Sequence, residues 1–131
     1  RFRLQPRLEA AGVQLRWQPE ALPSVPWLTP VHAMHLMRIV QEAMTNIVKH
    51  AGASEIVFST DADATHARIC ISDNGRGFAG DGAAGGGKGL HNMRYRAEQL
   101  GAALRWQEIA DEGRVQGTRF TLELPLARAG L

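Results

Sequence analysis

Apolar and polar residues alternate in several short runs of this chain and recur at helical spacing in two longer ones. In VQLRW, Val13, Leu15 and Trp17 take every second position, which predicts a strand. EIVFST (Glu55 to Thr60) and HARICISD (His66 to Asp73) predict two more. ALRWQEI and GTRFTLELPL predict another two, joined around ADEGRVQ. PEALPSVPWLTP holds four prolines and reads as an irregular connection. Thr29 and Pro30 open a helix at about Val31 that runs to about His50. LHNMRYRAEQLG is a second helix, with Leu90, Met93, Ala97 and Leu100 on one stripe and Gly101 as its stop. Between them, Asn74 to Lys88 is too rich in glycine to be regular. The pattern predicts an α/β sandwich, one sheet covered by helices on one face.

The long helix carries more than a core stripe. At about 100° per residue, Leu36, Met37, Val40, Ala43, Met44, Ile47 and Val48 fall on one half, the expected core face. His35, Arg38, Glu42, Asn46 and Lys49 fall on the other. A solvated face would also be polar. Glu42 and Asn46, however, are an i,i+4 pair aimed at one spot, with Lys49 nearly in line two turns on and His50 on the flank. A carboxylate, an amide oxygen and an ammonium together suit a hydrated magnesium ion and a phosphate chain, because magnesium prefers hard oxygen ligands.

Composition narrows the field. The chain has 131 residues, 44% hydrophobic and 21% charged, enough for one domain with a core. A net charge of +2, with no run of like charges and no basic–aromatic alternation, argues against a nucleic-acid surface. Cys70 is the single cysteine, which fits a reducing compartment, and it reads as a small core residue. No apolar run is long enough to cross a membrane. The opening RFRLQPRLEAAG lacks Met and is read as the edge of a piece of a longer protein.

Two glycine motifs invite misreading. GAAGGGKG (Gly82 to Gly89) matches a P-loop except that Gly89 stands where Ser or Thr would meet magnesium. Gly75, Gly77 and Gly80 spell G-x-G-x-x-G after a strand, but FAGDGAAGGG follows and cannot start the helix that a dinucleotide fingerprint needs. What remains is Asp73 at a strand end before a glycine turn. It either caps its own loop or offers its carboxylate to an exocyclic amine such as that of adenine. Gly75 and Gly77 would let the backbone approach a flat ring. Trp17, Trp27 and Trp106 read as core or rim packing, and His91 and Arg94 as helix-face residues within possible reach of phosphates.

Three segments taken together resemble one family. QEAMTNIVKHAGAS (Gln41 to Ser54), DNGRGF (Asp73 to Phe78) and GKGLHNMRYRAEQLGA (Gly87 to Ala102) resemble the N, G1 and G2 boxes of the ATP-binding catalytic domain of sensor histidine kinases. GTRFTLELP resembles that domain's closing strand. The spelling KHA after Asn46, and GLxxMRxR in the second helix, is similar to the nitrate/nitrite-sensor and DesK-type subfamily. The resemblance spans roughly Leu4 to Leu126.

It implies a Bergerat-type two-layer sandwich with a mixed sheet of about five strands, an ATP site under a glycine-rich lid from Ala79 to Gly87, and Mg2+. By position, Asn46 would ligate the metal, with Glu42 beside it as an acid/base or water-orienting residue. Lys49 and His50 would contact phosphates. Asp73 would take the adenine amine, Gly75 and Gly77 would floor the pocket, and Thr118 would lie near both. Lys88, Gly89 and Leu90 would close the lid. The phosphoacceptor would be a histidine on a separate dimerisation domain of the same parent chain. In this subfamily that histidine precedes an acidic residue, whereas the five here precede Ala33, Leu36, Ala51, Ala67 and Asn92. A response regulator would act downstream. The whole chain, 1–131, would be one cytoplasmic catalytic domain without membrane contact, in a parent that the resemblance allows to be anchored in the inner membrane. An anti-sigma-factor-type serine kinase and an ATP-sensing module without transfer are the other readings open at this point.

Overall fold

A computed structural model describes residues 12–18, 25–75 and 87–127. Five strands form one mixed sheet in the order β1-β2-β3-β5-β4. β1 (Gln14–Gln18) runs parallel to β2 (Glu55–Ala62). β3 (His66–Asp73), β5 (Arg114–Pro125) and β4 (Ala103–Asp111) continue it with antiparallel pairings. Two helices cover one face, α1 (Pro30–Asn46) and α2 (Gly87–Leu100). The expected sandwich is therefore present.

Alternation along the strands decides which face is covered. Ile56 and Phe58 of β2, Ile69 and Ile71 of β3, and Phe120, Leu122 and Leu124 of β5 are all buried. They meet Ile39, Val40, Ala43 and Met44 of α1 and Met93, Ala97 and Leu100 of α2. Removing each large aliphatic side chain from water is worth about 1.5–3 kcal/mol. The opposite face is polar. There Arg68 donates to Asp61 at 2.6 Å, Asp63 at 3.0 Å and Glu123 at 3.2 Å, which ties β2, β3 and β5 together.

The start of α1 is firmly set. Thr29 Oγ1 accepts from the His32 N–H, and His32 Nδ1 accepts from the Thr29 N–H, so a histidine fills the place usually held by Glu or Gln in a capping box. Trp27 packs edge-on against His32 and donates its Nε1–H to the Pro125 carbonyl at 2.9 Å. Trp106 packs on Phe120. Both tryptophans are structural, as expected; the Trp17 side chain lies outside the described residues.

Four details differ from the sequence pattern. Met37, assigned to the core face, is 41% exposed, and Ile39 is fully buried in its stead. The covered arc of α1 is centred nearer Ala43 because α2 lies along its His35 side, where His35 Nδ1 bonds Arg96 at 3.0 Å and packs edge-on to Tyr95. The last stretch of the long helix, Ile47–Ala51, is a π-helical turn ended by Gly52 at φ 63°. α2 begins at Gly87 rather than Leu90. First-turn amides have no intrahelical acceptors to lose, so glycine is tolerated there. Last, ADEGRVQ is mostly strand. Positive φ at Glu112 (50°) and Gly113 (79°) makes a two-residue hairpin turn, and the strands run up to it.

Candidate functional site

Connectivity brings the candidate residues to one end of the sheet. Ile56 pairs with Asp73 and Asp73 with Thr118, so β2 begins, β3 ends and β5 begins its sheet core together. α1 runs into β2 through residues 47–54, so its C-terminal end lies at this edge. α2 leads into β4 at Ala103, which pairs with Glu123 at the far edge. Its N-terminal turn, with Gly87 to Leu90, therefore points back towards Asp73. The His35–Arg96 bond fits the same antiparallel arrangement of the helices.

Asp73 is the polar end of an apolar row. Ala67, Ile69 and Ile71 precede it on the covered face of β3, and its residue is only 7% exposed. Thr118, equally buried, stands opposite and heads the row Phe120, Leu122, Leu124. Oδ1 of Asp73 accepts from the Gly75 N–H at 2.8 Å, so the loop-capping role exists. The Thr118 backbone N–H donates as well. Burial pushes the carboxyl above its ordinary value, and these two bonds pull it back. Among the described residues no cation pairs with it. A buried carboxylate held by neutral donors is costly to keep charged, and such groups cluster at functional sites.

Two residues that the sequence pattern left without a role shape this corner. Gly117 has φ 150°, and a Cβ there would lie 1.8 Å from the Asp73 carbonyl oxygen. Only glycine lets β5 close on β3 at this point. An isolated glycine inside a strand pattern was the available signal. Asn74 bonds three groups of Ser54 and Glu55 through its side chain. Asparagine after a strand, ahead of glycine, was its signal.

On α1, Glu42 and Asn46 are half-buried and keep their i,i+4 relation, because the α-helix extends through Asn46. The donor set, an amide oxygen beside a carboxylate, fits a hard cation that keeps several waters. Lys49 is exposed. The π turn advances each residue by less than the α-helical angle, so Lys49 lags behind the Glu42–Asn46 line. Such turns are frequent at functional sites. His50 lies in the same turn, its side chain outside the described residues. Lys88, Gly89 and Leu90 lie in the first turn of α2, with side chains likewise outside them. Gly77 lies outside the described residues, as does the expected lid from Ala79 to Gly87 except for Gly87 itself, which opens α2. Gly75 is placed by the Asp73 turn. His91 and Arg94 are exposed on α2. Among the described residues no helix is long and apolar enough to cross a membrane.

Residues 31–128 match the family model described as histidine kinase-, DNA gyrase B-, and HSP90-like ATPase. The chain is 34% identical over 92 residues to the sensor histidine kinase LiaS of Bacillus subtilis (strain 168), which covers 70% of this chain and 24% of LiaS. It is 39% identical over 89 residues to the nitrate/nitrite sensor protein NarQ of Escherichia coli (strain K12), which covers 66% of this chain and 16% of NarQ. The fold is similar to full-length ShkA in complex with AMPPNP, with a TM-score of 0.72 and 23% identity, over 98% of this chain and 28% of that one. The chain thus spans under a third of the length of each of these proteins.

Proposed function

This chain belongs to the histidine kinase-, DNA gyrase B- and HSP90-like ATPase family, and from that membership we propose that residues 1–131 are the catalytic domain of a larger sensor histidine kinase. It binds Mg-ATP and donates the γ-phosphoryl group to a histidine on a separate dimerisation domain, from which a response regulator is phosphorylated. Similarity to named sensor kinases supports this reading, as does the fold shared with full-length ShkA, whose structure is in complex with AMPPNP. The observation that carries it is the buried Asp73 carboxylate, with no cation paired to it among the described residues, where β3 ends opposite Thr118 of β5.

Asp73 accepts the adenine 6-amino hydrogen, with Thr118 beside it and Gly75 and Gly77 beneath the ring. A guanine carbonyl in that place would face an acceptor and be rejected. Asn46 would hold the metal through its amide oxygen, and Lys49 and His50 would meet the phosphates. Lys88, Gly89 and Leu90 bring the positive end of α2 to the same charges. The metal held there would supply charge neutralisation at the phosphates, and in transfer the γ-phosphorus bond to its bridging oxygen breaks, leaving ADP, as the acceptor imidazole nitrogen takes its place. Glu42 orients that imidazole or receives its second proton. Alone, the domain binds nucleotide but has no acceptor.

Calorimetric titration with Mg-ATP and Mg-GTP tests the base reading, and equal affinities would remove Asp73 from it. Incubation with labelled ATP and a histidine-bearing dimerisation domain tests transfer. Label that stays on the nucleotide, despite tight binding, would leave a sensing module.

A further inference from the structure

Asn74 stands where the β2–β3 ladder ends. Ile56 pairs with Asp73, so Asn74 falls opposite Glu55, and its N–H still donates to the Glu55 carbonyl at 3.3 Å. In an unbroken antiparallel ladder the Glu55 N–H would be answered by the Asn74 main-chain carbonyl. Here the side chain answers instead. Asn74 Oδ1 accepts from Glu55 N at 3.0 Å and from Ser54 N at 2.9 Å, and Nδ2 donates to Ser54 Oγ at 2.9 Å. The main chain can therefore leave the ladder one residue after Asp73, into the turn in which the Gly75 N–H reaches the Asp73 carboxylate. No strand-edge N–H is orphaned by the departure.

The partner segment is equally telling. Ser54 lies two residues past Gly52, which ends the π turn bearing Lys49. Ser54 also accepts the Gln14 N–H through its carbonyl, which seats β1. The Asn74 side chain thus clamps the chain leaving α1 to the chain leaving β3. We infer that Asn74 is a positioning residue of the nucleotide site: it fixes the spacing between the carboxylate that reads the base and the Asn46–Lys49 segment that meets metal and phosphates. The inference rests on the ATP-binding reading above. A ligand that bridges two anchor points is sensitive to their separation, as supporting hydrogen bonds around other sites show.

Asn74 is exposed, so water can take up the amides that Asn74→Ala abandons, and the variant folds. The full chain is compared as wild type, Asn74→Ala, Asn74→Asp and Val57→Ala, at a temperature where all are folded. Val57, half-buried on the uncovered sheet face opposite Ser72, lowers stability without touching the clamp. Amide exchange is read at Ser54 and Glu55, and affinity by calorimetry with Mg-ATP and Mg-GTP. In Asn74→Ala both amides lose protection, ATP affinity falls on the order of tenfold, and preference over GTP narrows. Asn74→Asp keeps acceptors for both amides while the Ser54 hydroxyl turns to donate. It restores protection and returns affinity to within about threefold of wild type. Val57→Ala melts earlier with unchanged affinity. Unchanged ATP affinity in Asn74→Ala, or an Asp variant with restored protection but Ala-like affinity, overturns the inference and leaves the ATP site standing. A wild-type chain that binds no ATP overturns both.

Discussion

Gly117→Ala measures how tightly the corner between Asp73 and Thr118 is built. At φ 150° an L side chain is strained by about 1–3 kcal/mol regardless of space. Space is also lacking. The new Cβ would lie 1.8 Å from the Asp73 carbonyl oxygen, 2.8 Å from its carbon and 3.1 Å from Asn74 Cα, all backbone atoms that cannot rotate aside. A tolerable carbon–oxygen contact is about 3.3 Å, so β5 must part from β3 by roughly 1.5 Å where Asp73 faces Thr118. One or two hydrogen bonds go with it, each worth about 1 kcal/mol. The sum is about 2–5 kcal/mol, or roughly 8–20 °C in melting temperature for a chain of this length. Gly113→Ala is the control. It too has positive φ, 79°, but open space around it, and should lose only about 1–2 kcal/mol. Urea unfolding with a common slope gives both values. A Gly117→Ala protein no less stable than Gly113→Ala would refute the close-approach argument. Below its melting point, the same variant should bind ATP weakly because the Asp73 carboxylate has shifted.

Three further expectations follow from single groups. Burial holds the Asp73 carboxyl above its ordinary value, so the folded protein keeps that proton longer than the unfolded chain. Stability from this group is then full at low pH and lost as pH rises through the raised value. Asp73→Asn should melt later than wild type at neutral pH, with the gap closing as pH falls into the carboxylate range, while ATP binding is lost; a variant that melts earlier at pH 7 refutes this. Asp63 has the opposite sign. The backbone N–H groups of Thr65 and His66, then the Arg68 guanidinium, hold it well below the usual carboxylate range. The advantage of wild type over Asp63→Ala should be full at neutral pH and fade as pH drops below the ordinary carboxylate value, as melts across pH would show. Asn46→Ala should abolish the chelator-sensitive part of ATP affinity with little change in melting temperature, and affinity that still responds to EDTA would remove Asn46 from the metal.

Most of the fold was written in periodicity. The alternation in HARICISD marks β3 to the residue, because one face meets helices and the other meets water. Gly101, at φ 64°, stops α2 where the stripe ends. What periodicity missed depends on contacts between elements. Met37 and Ile39 are both apolar, and only the position of α2 along the His35 side of α1 decides that Ile39 is covered and Met37 is not. The π turn at Ile47–Ala51 has no sequence period of its own. A wheel drawn at constant angle therefore carries Lys49 too far round.

The site was legible to a different degree at its two poles. Glu42 and Asn46 share a face by helix geometry alone, so their convergence needed no tertiary information. Asp73 did: a strand-end aspartate before glycine looks the same whether it only caps its turn or is also sealed beneath a helix layer. The structure shows that both hold, since Oδ1 takes the Gly75 N–H while the residue stays buried opposite Thr118. Those two facts point one way energetically. The turn alone could be capped by an exposed aspartate, as Asp63 caps the β2–β3 turn from the surface. Asp63 gains from its position because hydrogen bonds outweigh a small desolvation, whereas desolvation dominates at Asp73. A carboxylate kept buried where an exposed one could close the turn is what the proposed adenine contact would require.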